Sequence, residues 1–184
     1  MKIGIVDHIA ELTTREGNRP ITVTVDGFSG SGKTSLAEGI ARELNSRGRG
    51  YGTLLLEVEL WARGWGDLAG GVRRVNDVVE GLQSGPIETQ TWNWWTETLE
   101  DPIVLKPKPV ILVVGSGSGQ IHSDLAIWLD APRDTRRERV ARRDPYDWSD
   151  HWEEWESQEL GLLEVHDSRA HADIQIGTTN NDRE

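Results

Sequence analysis

The segment Gly27-Phe28-Ser29-Gly30-Ser31-Gly32-Lys33-Thr34 fits the pattern G-x-x-x-x-G-K-[ST] and limits the fold more than any other feature of the chain. Ahead of it, Ile21-Thr22-Val23-Thr24-Val25 alternates β-branched residues and runs into Asp26-Gly27, as a buried strand ending at a sheet's carboxyl edge does. Behind it, helical spacing runs from Thr34 to Arg47-Gly48, where the glycine supplies a C-cap. Strand, glycine loop and helix in this order aim successive backbone N–H groups and the positive end of the helix at one point, which suits a phosphate. The candidate phosphate-binding residues are therefore Gly27, Ser29, Gly30, Ser31, Gly32, Lys33, Thr34 and Ser35. Lys33 is placed to bridge the terminal phosphates of a nucleotide, and Thr34 to offer its hydroxyl to magnesium. Chance would produce such a match in on the order of one in a hundred chains of this kind, before the flanking strand and helix are required.

The remaining elements read as an alternation. An entry helix is expected over Ile3 to Leu12, with a linker to residue 19, and a second strand over Gly52 to Leu60. A helix carries Val72, Val75, Val78, Val79 and Leu82, and Gly85-Pro86 ends it. Residues 87–109 hold Trp92, Trp94 and Trp95 without a clear period and predict an irregular covering segment. Val110 to Val114 is wholly apolar, as a central parallel strand covered on both faces is. Leu125 to Leu129 is a fourth strand, Pro132 to Arg143 an arginine-rich helix, Trp148 to Val165 another helix, and Ala172 to Ile176 a last strand. The pattern predicts one domain of three-layer α/β/α architecture with a mainly parallel five-stranded sheet, and a polar tail over 177–184 that frays.

Composition removes several classes. The net charge of −11 disfavours nucleic-acid binding, and the absence of Cys excludes disulfides, thiol nucleophiles and thiolate zinc sites. The five His never form an HExxH pattern. No apolar run is long enough to span a bilayer, and the first residues are too soon charged for a signal peptide, so the protein is read as cytoplasmic. A GTPase of the familiar kind is disfavoured by the lack of NKxD and of D-x-x-G after the third strand. Gly115-Ser116-Gly117-Ser118-Gly119 is not a dinucleotide fingerprint, because Gln120 and His122 stand where the last glycine is needed.

Arg136, Arg139 and Arg143 lie at i, i+3 and i+7 on one helical face, where guanidinium groups can stabilise charge on a transferring phosphoryl group. On charge pattern alone a solvated basic helix is the simpler reading; its place after the fourth strand of a phosphate-loop domain favours the first. The chain has nine Trp. Trp148, Trp152 and Trp155 fall at i, i+4 and i+7 and read as a core stripe. Trp61, Trp65, Trp92 and Trp94 fall in loops at the carboxyl edge of the sheet, where packing and stacking on an acceptor ring are equally open.

The loop from Asp26 to Thr34, the Gly64-Trp65-Gly66-Asp67 segment, Trp92-Asn93-Trp94, Gly115 to Gly119, the arginine helix and Trp152 to Glu159 together resemble the uridine kinase-like P-loop kinases. The resemblance runs from about Pro20 to Gly177. It implies strand order 2-3-1-4-5, a mobile lid containing Arg136, Arg139, Arg143 and Asp144, and transfer of the γ-phosphoryl of MgATP to a small nucleoside-like or other hydroxyl or phosphate acceptor. It implies a monomer or homodimer whose partner is that small molecule, with no nucleic acid or membrane.

Two departures from the family pattern bear on activity. The family's acceptor-facing Asp is absent after the second strand, where Leu56-Glu57-Val58-Glu59-Leu60-Trp61 stands, which makes Glu59 the candidate base and Glu57 the next. The acid that usually closes the third strand is replaced by Val114, leaving Asp26 as the remaining candidate outer-shell carboxylate for magnesium. The alternative to an active kinase is a nucleotide-binding or regulatory relative whose chemistry has lapsed.

Overall fold

The computed structural model describes residues 2–17, 19–143 and 149–178. Its first helix, α1 (Lys2–Glu16), leads to strand β1 (Ile21–Asp26), which is buried along its whole length. The loop follows, then helix α2 (Lys33–Ser46), strand β2 (Thr53–Glu57) and helix α3 (Leu68–Leu82). β7 (Val110–Val114), β8 (Leu125–Asp130) and β9 (Ile174–Gly177) complete a five-stranded parallel sheet in the order β2-β7-β1-β8-β9. Counted along the chain, the strands of this sheet stand in the expected order 2-3-1-4-5.

Alternation along the central strands explains the three layers. Val23, Val25, Leu112 and Val114 pack against α1 and α2 through Ile9, Ala37, Ile40 and Leu44. Ile111 and Val113 point to the other face and meet Val72, Val75 and Val79 of α3 together with Trp155. Helix α4 (Arg133–Arg143), helix α5 (Trp152–Val165) and the single turn α6 (Ser168–His171) fill the remainder. Among the described residues no helix is long and apolar enough to cross a membrane.

Several boundaries differ from expectation for visible reasons. The second strand stops at Glu57, which pairs with the last residue of β7, Val114, so beyond it there is no partner to continue the ladder. The chain turns there into a 3-10 turn, Val58–Trp61, that buries Val58 and Trp61. Segment 87–109 is two antiparallel ladders outside the main sheet: β3 (Ile87–Thr89) with β6 (Ile103–Leu105), and β4 (Trp92–Asn93) with β5 (Thr98–Leu99). Asn93 shapes its tip by accepting hydrogen bonds from the amides of Trp95 and Thr96 at 2.9 and 3.0 Å. α1 reaches Glu16, beyond the expected Leu12, and Gly177 still pairs with Asp130. The Asp144 and Trp148 expectations, and the tail from residue 179, lie outside the described residues.

Candidate functional site

The loop between β1 and α2 is folded by its own backbone and by its neighbours. The Ser31 amide donates to the Phe28 carbonyl at 3.1 Å, and Gly32, at φ 102°, hands the chain to α2. A helix beginning at Lys33 leaves its first amides without intrahelical partners, turned toward the cleft ahead of it. Lys33 is buried, and its Nζ donates to the Phe28 carbonyl at 3.2 Å and to Ser116 Oγ at 3.3 Å. The loop is fastened from outside by Thr178, whose Oγ1 donates to the Ser31 carbonyl at 2.9 Å.

Residues 29–35 line a cleft of about 1090 Å³. Gly27 is not in it; its amide donates to Asp26 Oδ1 at 2.7 Å at the base of the loop. The same cleft is also lined by Glu57, Glu59, Leu60, Trp65, Trp94 and Trp155, and Trp155 Nε1 donates to Ser29 Oγ of the loop at 3.1 Å. Thus the glycine loop and the candidate base line one cleft.

Asp26 is placed differently from the expectation that it serves magnesium. Its carboxylate is buried and accepts from the amides of Gly27, Gly117 and Gly119 and from Ser168 Oγ, at 2.7, 2.8, 3.0 and 2.8 Å. Those donors use its lone pairs, and it faces a small separate cavity instead of the cleft. Burial pushes its carboxyl above the usual range against the pull of these hydrogen bonds and of Lys33. Asp26 ties the turn after β7, and α6, to the base of the phosphate loop. Thr34 does line the cleft.

The three arginines separate. Arg136 is buried under the loop: its Nη1 donates to the Ser29 carbonyl at 3.3 Å, its Nη2 to Glu156 at 2.9 Å, and its guanidinium lies 4.7 Å from the Phe28 ring. It does not line the cleft. Arg139 and Arg143 do, together with Arg142, which periodicity had not singled out. Arg139 also holds the loop, its Nη1 donating to the Gly30 and Ser31 carbonyls at 3.3 Å and to Thr178 Oγ1 at 3.1 Å. Burial raises the Glu156 carboxyl, but hydrogen bonds from Arg133 and Arg136 outweigh it and hold the group below the usual range.

Beside Ser116, Glu59 Oε1 accepts from the Ser116 amide at 3.3 Å, and its backbone carbonyl accepts from Trp94 Nε1 at 3.0 Å. A side chain at Gly115 would meet Glu59 Oε2 at 2.5 Å, so this close approach, with φ 139° at Gly115, requires glycine. Burial, then the charges of Glu59 and Glu38, push the Glu57 carboxyl up, and Arg143 draws it partly back. Trp65, Trp94 and Trp155 meet edge to face with ring centroids 5.1 to 6.1 Å apart. Trp65 and Trp94 therefore belong to the cleft wall, whereas Trp61 is buried with its Nε1 donating to Thr89 at 3.0 Å. Trp152 and Trp155 are buried as the stripe predicts, and Trp155 serves the wall as well. Among the described residues no cluster of three or more His, Cys, Asp or Glu is arranged to hold a metal ion.

Ser116 and Thr178 were not marked by the sequence, since lone hydroxyls carry no periodic signal. Glu159 had one: it lies four and seven positions after Trp155 and Trp152, in the buried stripe of α5.

Solved structures share this architecture. A possible uridine kinase from Bacillus stearothermophilus matches 94% of this chain and 99% of its own at TM-score 0.59 and 19% identity. A proposed fructose transport system kinase from Silicibacter sp. TM1040 matches 91% and 98% at TM-score 0.58 and 15% identity. Shikimate kinase from Bacteroides thetaiotaomicron matches 89% and 90% at TM-score 0.51 and 15% identity. No family model and no curated protein matches the chain. The fold is that of the P-loop kinases, uridine kinase-like proteins among them.

Proposed function

We propose that the protein is an ATP-dependent phosphotransferase that moves the γ-phosphoryl of ATP to a small acceptor, a ring-bearing hydroxyl compound or its phosphate. One observation carries this reading: the cleft lined by loop residues 29–35 is also lined by two carboxylates and three indoles. A phosphate loop alone marks nucleotide binding; a carboxylate in the same cleft, one residue removed from Lys33 through Ser116, adds a group able to take a proton from an acceptor.

In this reading Lys33 and the loop amides hold the β- and γ-phosphates, and Arg139, Arg142 and Arg143 face the charge that develops during transfer. Glu59 takes the acceptor proton, held in place by the Ser116 amide and by Trp94. Trp65, Trp94 and Trp155 orient the acceptor ring and exclude water. Magnesium fits the donors available, a loop hydroxyl at Thr34 and the carboxylates of Glu57 and Glu59 in the same cleft, and the ion would neutralise phosphate charge when bound with the nucleotide. Arg136 acts from beneath the loop as a structural support. A cytoplasmic enzyme, monomeric or homodimeric, accords with this reading.

A specific observation favours a second reading, a nucleotide-binding protein without transfer: β7 ends in Val114, wholly buried against α2, where an acid is expected. Transfer of labelled γ-phosphate from MgATP to a panel of nucleosides, nucleoside monophosphates, sugars and vitamin precursors decides between them. Transfer to one acceptor class supports the kinase, and ATP binding without transfer to any supports the second reading.

A further inference from the structure

α5 delivers a carboxylate to the back of the phosphate loop. Glu159 is only 4% exposed, and its Oε1 accepts from the Ser29 amide at 2.7 Å and from Ser116 Oγ at 2.6 Å. Ser116 Oγ also stands 3.3 Å from the Gly27 carbonyl and 3.3 Å from Lys33 Nζ. A hydroxyl has one proton and two lone pairs. The shorter, charge-assisted bond to Glu159 takes the proton, which leaves a lone pair turned to the lysine ammonium. Without the carboxylate, the same proton can rotate to the Gly27 carbonyl. Glu159 does not line the nucleotide cleft; it faces the small cavity shared with Asp26.

We propose that Glu159 is a positioning residue for the phosphate loop, its carboxylate fixing the Ser116 hydroxyl as an acceptor that, together with the Phe28 carbonyl, holds Lys33 in place. The proposal rests on the reading that the loop binds ATP. It names a path, Glu159 to Ser116 to Lys33, in which removing either of the first two members has the same effect on the third.

The test measures MgATP affinity by titration calorimetry, and the thermal midpoint, for the wild-type chain, S116A, E159Q and S116A/E159Q. Each single variant is expected to weaken MgATP by about 3- to 10-fold. The double variant is expected to be no weaker than the weaker single, because both act through one path. Single-variant effects that multiply in the double, or affinities equal to wild type, overturn the proposal. Should E159Q fail to fold, S116A decides alone: wild-type affinity in that variant overturns the path, and a loss with an unchanged thermal midpoint supports it. A wild-type chain that does not bind MgATP removes the nucleotide reading itself, and this proposal with it, whereas intact wild-type binding with unaffected variants removes only the role of Glu159.

Discussion

Gly30 and Arg136 meet backbone to backbone: a methyl group on Gly30 would lie 2.9 Å from the Arg136 Cα. The phosphate loop and α4 therefore touch with no side chain between them, and the arginine helix serves as the bed on which the loop lies. This explains why Arg136 is occupied with the loop's own carbonyl and with Glu156 instead of the cleft.

G30A follows directly from that contact. The position has φ 81°, and the new methyl meets backbone atoms that cannot swing aside. The left-handed conformation and the overlap together should cost at least about 2 kcal/mol of stability. Denaturant unfolding checks this; a variant within about 0.5 kcal/mol of wild type would show that loop and helix separate easily.

K33A removes the ammonium that the loop holds toward the cleft. MgATP affinity should fall by about tenfold or more, since a charged phosphate contact contributes roughly 1.5–3 kcal/mol. Titration calorimetry reads the change, and unaltered affinity would take the loop out of the nucleotide site.

E59Q keeps the shape of the candidate base and removes its basicity. Phosphoryl transfer should fall by about 100-fold or more while MgATP affinity stays within about threefold. Single-turnover transfer and equilibrium binding, measured on the same preparation, separate the two; full transfer in E59Q would move the base elsewhere, with Glu57 the next group to test.

Glu57 yields a prediction in pH. Its carboxyl is raised above the ordinary value of 4.5, chiefly by burial and then by Glu59 and Glu38. The folded state therefore holds this proton more tightly than the unfolded chain, and stability falls as pH rises through the folded pKa. E57Q, which cannot ionise, should melt higher than wild type at neutral pH, with the gap closing as the pH drops below 4.5, where Glu57 is protonated in both states. A gap that is constant from acid to neutral pH would assign the effect to packing.

Much of this fold was legible because its signals are local. The loop pattern between a β-branched run and a helix, and the apolar run at Val110 to Val114, each declare their element within a few residues. The ladders in 87–109 were not legible, since strands of two or three residues carry no period and depend on a turn set by Asn93. In the candidate site, the loop and Glu59 could be read from sequence. The division of labour among the arginines could not, because six arginines among the eleven residues of α4 hide which one the loop buries. The place of Asp26 at the end of β1 makes it a candidate carboxylate for magnesium; its orientation is decided by amides 91 and 93 residues away, which no local pattern reports.

The hydroxyl of Thr178 holds a loop carbonyl that precedes it by 147 residues. During synthesis, strand β1, the loop and α2 leave the ribosome long before this fastening exists, by roughly 7–30 s at 5–20 residues per second. Arg139, the other residue that grips the Ser31 carbonyl, also arrives late. A growing chain thus carries its glycine loop in an unfastened form until Arg139 and Thr178 have been made and β9 takes its place beside β8.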